Sequence, residues 1–188
     1  MENIEVFKNI KISSQENILL ESLQKYYLNN IKAKEIIPII EGHSTISMRL
    51  IDFFVTNYSK KNLVNYDINM NDKKVNFNVY LSYKSQLKAF NKRYFDPFSR
   101  GNRIPFFFED YCIITTIGQL NFFKWYLSNN VNDYILKNYI NIDKELAKSK
   151  KIPKMNNNIP KVKKEFKLPK TMNLIQLTPS NYSFVSFD

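Results

Sequence analysis

Thr115-Thr116-Ile117-Gly118-Gln119-Leu120-Asn121-Phe122-Phe123-Lys124-Trp125-Tyr126-Leu127 sets two threonines before a strongly apolar run. Leu120, Phe123, Trp125 and Leu127 recur within it, and the pattern predicts a helix over 117–129. Asn129-Asn130 breaks that helix, and Val131 to Tyr139 resumes as another. Two helices joined by a short Asn-rich turn form either a helix-turn-helix or an ordinary αα-hairpin, and the hairpin is the preferred reading. Immediately upstream, Tyr111 to Thr115 is apolar and β-branched and reads as a buried strand.

Working outward, Ser13-Ser14-Gln15-Glu16 reads as a capping box opening a helix from Ser14 to Asn30. Its apolar face uses Ile18, Leu19, Leu23, Tyr26 and Tyr27. Ile36 to Ile40 is a short strand or an apolar connection, cut by Pro38 and followed by Gly42-His43. Ser44 then caps a helix over 45–58, with Ile46, Leu50, Phe53 and Phe54 inward. Leu63 to Asn78 alternates around Asn71-Asp72 and reads as a hairpin. Val79 to Tyr94 is the clearest helix. Tyr80, Tyr83, Leu87 and Phe90 lie on one side, and Lys84, Lys88 and Lys92 recur every fourth residue on another. Asp96-Pro97 ends it, because proline disfavours helical geometry in the residue before it. A loop containing Gly101 and Pro105 follows.

After Asn141 the composition changes. Residues 144–170 hold ten lysines against two glutamates, with Pro153, Pro160, Pro169 and the run Asn156-Asn157-Asn158. Such a stretch buries too little to fold alone and is expected to be an extended tether. Leu174 to Leu177 and Tyr182 to Phe187 look like short strands, a tail that docks on its own domain or on a partner. The expected organisation is therefore a globular domain over 1–143, a tether over 144–170 and a tail over 171–188. The expected fold class is α+β: a mainly helical single domain with an aromatic core, a small β-sheet and a basic C-terminal extension.

Composition narrows the chemistry. Of 188 residues only three are Gly, one is Cys and one is His, which leaves no Gly-rich phosphate loop, internal disulfide, multi-Cys metal site or histidine pair. Neither catalysis nor a cofactor is expected. The acidic start Met1-Glu2-Asn3-Ile4-Glu5 lacks the features of a secretory signal, and no apolar stretch approaches the roughly 20 residues needed to span a bilayer. No membrane insertion is expected, and Cys112, inside an apolar run, is expected to be a buried free thiol in a reducing compartment. His43 reads as a turn or capping residue, and Asp52 as the partner of Arg49 one turn away.

Charge points to a polyanion. Lys and Arg number 28 against 17 Asp and Glu, a formal +11, which favours nucleic acid, an anionic membrane or an acidic protein as partner. The chain is crowded with Lys, Asn, Ile, Tyr and Phe, whose codons are rich in A and T, so lysine alone overstates the signal. Arginine does not, and three of the four arginines (Arg93, Arg100 and Arg103, with Arg49 apart) fall in one stretch. The first candidate site is thus Lys84, Lys88, Lys92, Arg93, Arg100 and Arg103, interleaved with Phe90, Tyr94, Phe95 and Phe98. Lysines on a helix neutralise phosphates, arginines add bidentate contacts, and exposed aromatics stack on unpaired bases. The second is the tether, with Lys150, Lys151, Lys161, Lys163 and Lys164 following a phosphate backbone. A weaker alternative gathers Asp52, Asp96 and Asp110 or Glu109 around Mg²⁺ as a nuclease would.

Three blocks carry a resemblance: Ser47-Met48-Arg49-Leu50-Ile51-Asp52-Phe53-Phe54-Val55-Thr56-Asn57-Tyr58-Ser59-Lys60-Lys61; Tyr83-Lys84-Ser85-Gln86-Leu87-Lys88-Ala89-Phe90 with Phe95-Asp96-Pro97-Phe98; and Thr115 to Trp125. Over about residues 36 to 140 the chain resembles an uncharacterised protein family of nucleocytoplasmic large DNA viruses, the giant viruses. It departs from that family at Ser99-Arg100-Gly101, where a Cys and further basic residues would stand. The resemblance brings no activity and no site residues. It implies a setting, the virus factory of the host cytoplasm or the virion interior. The expected function is then non-enzymatic binding of viral nucleic acid, DNA before RNA, in packaging, condensation or transcription. The main rival is a virion structural or adaptor protein that binds another viral protein.

Overall fold

In the computed structural model of the chain, the described residues are 12–70, 73–98, 100–108 and 111–151. They fall within one compact unit, Met1–Pro153; the second unit, Lys154–Asp188, lies outside them, and with it most of the expected tether and the whole expected tail.

Helix α1, Ser14–Leu28, begins as expected. The Ser13 hydroxyl accepts from the Glu16 amide, and the Glu16 carboxylate accepts from the Ser13 amide at 2.9 Å. Leu23 and Tyr27 are buried, but Ile18 is 69% exposed and leaves the expected apolar face. Residues 31–41 are helical rather than a strand: a 3-10 segment, Ile31–Ile36, passes into α2, Ile37–Glu41, with Pro38 in the first turn where its missing N–H is not needed. Gly42 takes the left-handed conformation (φ 81°) that ends α2.

The next helix begins three residues later than expected. Ser47, not Ser44, caps α3, Met48–Phe53, while the Ser44 hydroxyl accepts from the Ile46 amide in the preceding turn. A five-residue π segment, Phe54–Tyr58, follows and leads into α4, Ser59–Lys61. The hairpin forms as read. β1, Asn65–Met70, pairs antiparallel with β2, Lys73–Asn78, and the turn residues Asn71 and Asp72 lie outside the described residues. Its register sorts the faces, with Tyr66 opposite Phe77 on the core side and Asp67 opposite Asn76 on the other.

Helix α5, Val79–Tyr94, has the expected ends but is not one continuous helix, because Asn91 sits at φ 53°, ψ 179°. The stretch read as a loop around Pro105 is instead β3, Arg103–Phe108, paired antiparallel with β4, Tyr111–Thr116. Proline is tolerated because in a two-stranded ribbon every strand is an edge. The pairs Ile104–Thr115 and Phe106–Ile113 face the core, while Pro105–Ile114 and Phe107–Cys112 face outward. Cys112 is consequently exposed, not buried as its apolar neighbours suggested.

Helix α6, Ile117–Ser128, is the centre of the fold: apart from Lys124 and Ser128, all of its residues are buried. Helices α1, α5 and α7, strand β4 and the 3-10 segment pack on it. Such a helix has no polar face to show to water, so its polar side chains must be satisfied internally. Asn121 donates to the Tyr94 carbonyl at 2.8 Å, Gln119 to the Pro97 carbonyl at 2.8 Å and Trp125 to the Ser82 hydroxyl at 2.9 Å. Around Phe122 the rings of Tyr83, Phe95, Phe123, Trp125 and Tyr126 lie 5.3–6.5 Å away, mostly tilted or edge-on. Helix α7, Val131–Lys151, continues past the expected end of the domain at 143, so residues 144–151 of the expected tether are helical. Ile135, Ile142 and Leu146 are its buried stripe, and a Lys61–Glu145 pair at 3.0 Å ties it to α4.

Candidate nucleic-acid interface

Asn78 caps α5 by accepting from the Leu81 amide at 2.8 Å, and the first three turns then present Lys84 and Lys88 to solvent. The two are four residues apart, hence about 6 Å along the helix axis. With Leu81, Ser85 and Leu87 they line an open depression of about 640 Å³. Neither lysine forms an ion pair with any described residue. Lys92 is exposed too, but the backbone reversal at Asn91 intervenes, so the every-fourth-residue row ends at Lys88.

The arginines behave differently. Arg93 donates to the Glu16 carboxylate at 3.0 Å, and its guanidinium lies 5.3 Å from the centre of the Tyr94 ring. Arg100 makes a two-pronged contact with Asp96, Nε to Oδ2 at 2.9 Å and Nη2 to Oδ1 at 2.6 Å, and lies 5.3 Å from the Phe98 ring centre. Both carboxylates are buried. The Glu16 carboxyl is held below its ordinary range, first by the Ser13 amide and, after an opposing contribution from burial, by the Ser13 hydroxyl and Arg93. These two arginines are therefore not bare cations, as the sequence reading had them. Arg103, the first residue of β3, is exposed.

None of the interleaved aromatics is fully exposed. Phe95 and Tyr83 are buried, and Phe90, Tyr94 and Phe98 are half-buried, the last two beneath arginines. A ring already packed in a core cannot stack on a base. Of the tether residues, Lys150 and Lys151 end α7, while Lys161, Lys163 and Lys164 lie outside the described residues.

Asp52 does not pair with Arg49. It is half-buried, and burial raises its pKa, with Arg100 opposing the shift and Asp96 adding to it. Asp52 and Asp96 thus sense the same arginine, but Asp96 is committed to it. Among the described residues no group of three His, Cys, Asp or Glu side chains is placed to hold a metal ion, and Glu109 and Asp110 lie outside them. His43 is exposed in the turn after Gly42, its amide donating to the Pro38 carbonyl at 2.8 Å. No helix among the described residues is long and apolar enough to cross a membrane.

The Glu16–Arg93 contact spans 77 positions, and no local signal in the sequence announces it. The Asp96–Arg100 pair is four residues apart but lies beyond the end of α5, where helical spacing does not apply, so it too escaped the sequence reading.

A model for a family of unknown function, DUF7197, matches residues 1–176. The uncharacterized protein L507 of Acanthamoeba polyphaga mimivirus is 37% identical over 164 residues, 82% of this chain and 63% of the mimiviral one. The chain thus spans less than two thirds of that relative's length. No solved structure matches.

Proposed function

This chain belongs to the DUF7197 family, an uncharacterised family with a giant-virus member, and on that footing we propose that it binds nucleic acid without catalysing a reaction. The observation that carries the reading is the pair Lys84 and Lys88, exposed one turn apart and without a counter-ion among the described residues, in a chain of formal charge +11. Two such ammonium groups contact phosphates and release condensed counterions, a sequence-independent mode that needs no base contacts. Lys92 and Arg103 are further exposed cations. The polymer is DNA before RNA, and the setting is the virus factory or virion interior, in packaging, condensation or transcription. Binding to duplex DNA, single-stranded DNA and RNA across a salt series tests it. Affinity is expected to fall steeply with salt, and a flat salt dependence refutes the reading.

A second reading, an adaptor for another viral protein, is favoured by a different surface. Leu28, Ile31 and Phe107 are 75%, 96% and 67% exposed around a cavity of about 400 Å³ between the end of α1, the 3-10 segment and β3. Exposed apolar side chains gathered at one place mark interaction sites more often than single ones do. Ile31→Glu with Phe107→Glu would then abolish association with the viral partner and leave DNA binding intact.

A further inference from the structure

We infer that Arg93 and Arg100 form a seat for a phosphate group, in a cavity of about 280 Å³ that Tyr94, Asn102 and Thr116 also line. The two arginines reach it from different elements, Arg93 from the end of α5 and Arg100 from the loop before β3. What makes them more than structural cross-links is how they are held. Arg100 is fixed along one edge by a buried carboxylate and Arg93 is held by a single contact to another; each lies near one aromatic ring, yet the side chains remain 62% (Arg93) and 68% (Arg100) exposed. Nε and Nη1 of Arg93 and Nη1 of Arg100 donate to no described residue. A guanidinium already locked in one orientation loses little rotamer freedom when it binds, and its planar fork matches the oxygens of a phosphate.

Glu16, which also lines the cavity, and Asp96 offset the charges of the two arginines, so recognition rests on directed donors more than on a strong field. Donors arriving from several directions suit a tetrahedral oxyanion better than a planar carboxylate. The volume exceeds that of a bare phosphate and admits one carrying a substituent.

The inference goes beyond the lysine-row reading and stands without it. The phosphate belongs either to a nucleic-acid strand or to a small phosphorylated molecule. The test is a titration of the full chain with inorganic phosphate and pyrophosphate, followed by ³¹P NMR and calorimetry. Saturable binding is expected, weakened at least about tenfold by Arg93→Gln with Arg100→Gln and unchanged by Lys84→Glu with Lys88→Glu. Arg93→Lys with Arg100→Lys, which keeps a cation beside each of Glu16 and Asp96, replaces the glutamine variant if the latter fails to fold. Preference for a nucleoside monophosphate over inorganic phosphate identifies the small-molecule source, and preference for a 5′-phosphorylated oligonucleotide over its unphosphorylated form identifies the strand. Absence of saturable binding to the wild-type chain, equal binding by the folded arginine variants, or equal competition by acetate would overturn the assignment. Loss of DNA binding in the lysine variant with phosphate binding kept would separate the two sites.

Discussion

Gly118 is pressed against the backbone of Arg93: a Cβ on Gly118 would stand 2.7 Å from the Arg93 carbonyl oxygen. The Gly118 carbonyl in turn accepts from the Asp96 amide at 3.2 Å. This close approach joins the start of α6 to the end of α5 and sets the arginine-lined cavity beside it. A backbone oxygen cannot swing aside as a side chain can. Gly118→Ala is therefore expected to destabilise the chain by about 1–3 kcal/mol. An unchanged midpoint in urea denaturation would contradict the geometry.

Glu16 joins a helix cap to a long-range ion pair. Its folded pKa is lowered, so its contribution is present above the unfolded carboxyl pKa and is lost as pH falls through the folded one. Glu16→Gln should cost about 1 kcal/mol at neutral pH and give a shallower fall of stability in acid. Denaturation midpoints measured across the acid range, wild type against variant, decide it; parallel curves would be the wrong outcome.

Asp52 carries the opposite sign. Burial raises its folded pKa, so the folded state holds the proton more tightly than the unfolded one. The associated stability is present below the unfolded pKa and is lost as pH rises through the folded value. Asp52→Asn is thus expected to raise the midpoint at neutral pH and to lose that advantage in acid. A variant less stable at neutral pH would show that the carboxylate makes a favourable contact outweighing its burial.

Cys112 faces outward opposite Phe107. A thiol reagent such as Ellman's should modify it in the native chain at a rate close to that in denaturant. Reaction that waits for unfolding would place the side chain inside.

The lysine pair has a numerical signature. Each phosphate contact contributes about 0.9 to the slope of log affinity against log salt on duplex DNA, so Lys84→Gln with Lys88→Gln should lower it by about 2. A slope that does not change would remove these residues from the interface.

Local chemistry made much of this architecture readable. The capping box at Ser13, the hairpin through Tyr66 and Phe77, and the limits of α5 all follow from short-range patterns, because caps, turns and amphipathic periods act over a few residues. Where two local readings competed, the sequence misled. The apolar run 36–40 suits a strand as well as a helix. The lysines of 144–151 hide the stripe Ile135, Ile142 and Leu146 that keeps α7 helical. Inside and outside in β4 depend on which face α6 covers, and that moved Cys112 to the surface.

By itself, then, the sequence determined a mainly helical α+β domain with an aromatic core and a large positive charge, since composition and periodicity are properties of neighbours along the chain. Only the tertiary structure decided which cations stand free and which are held. The carboxylate that meets Arg93 comes from a helix 77 residues away, and the two meet because α1 and α5 both pack on α6, not because of spacing along the chain.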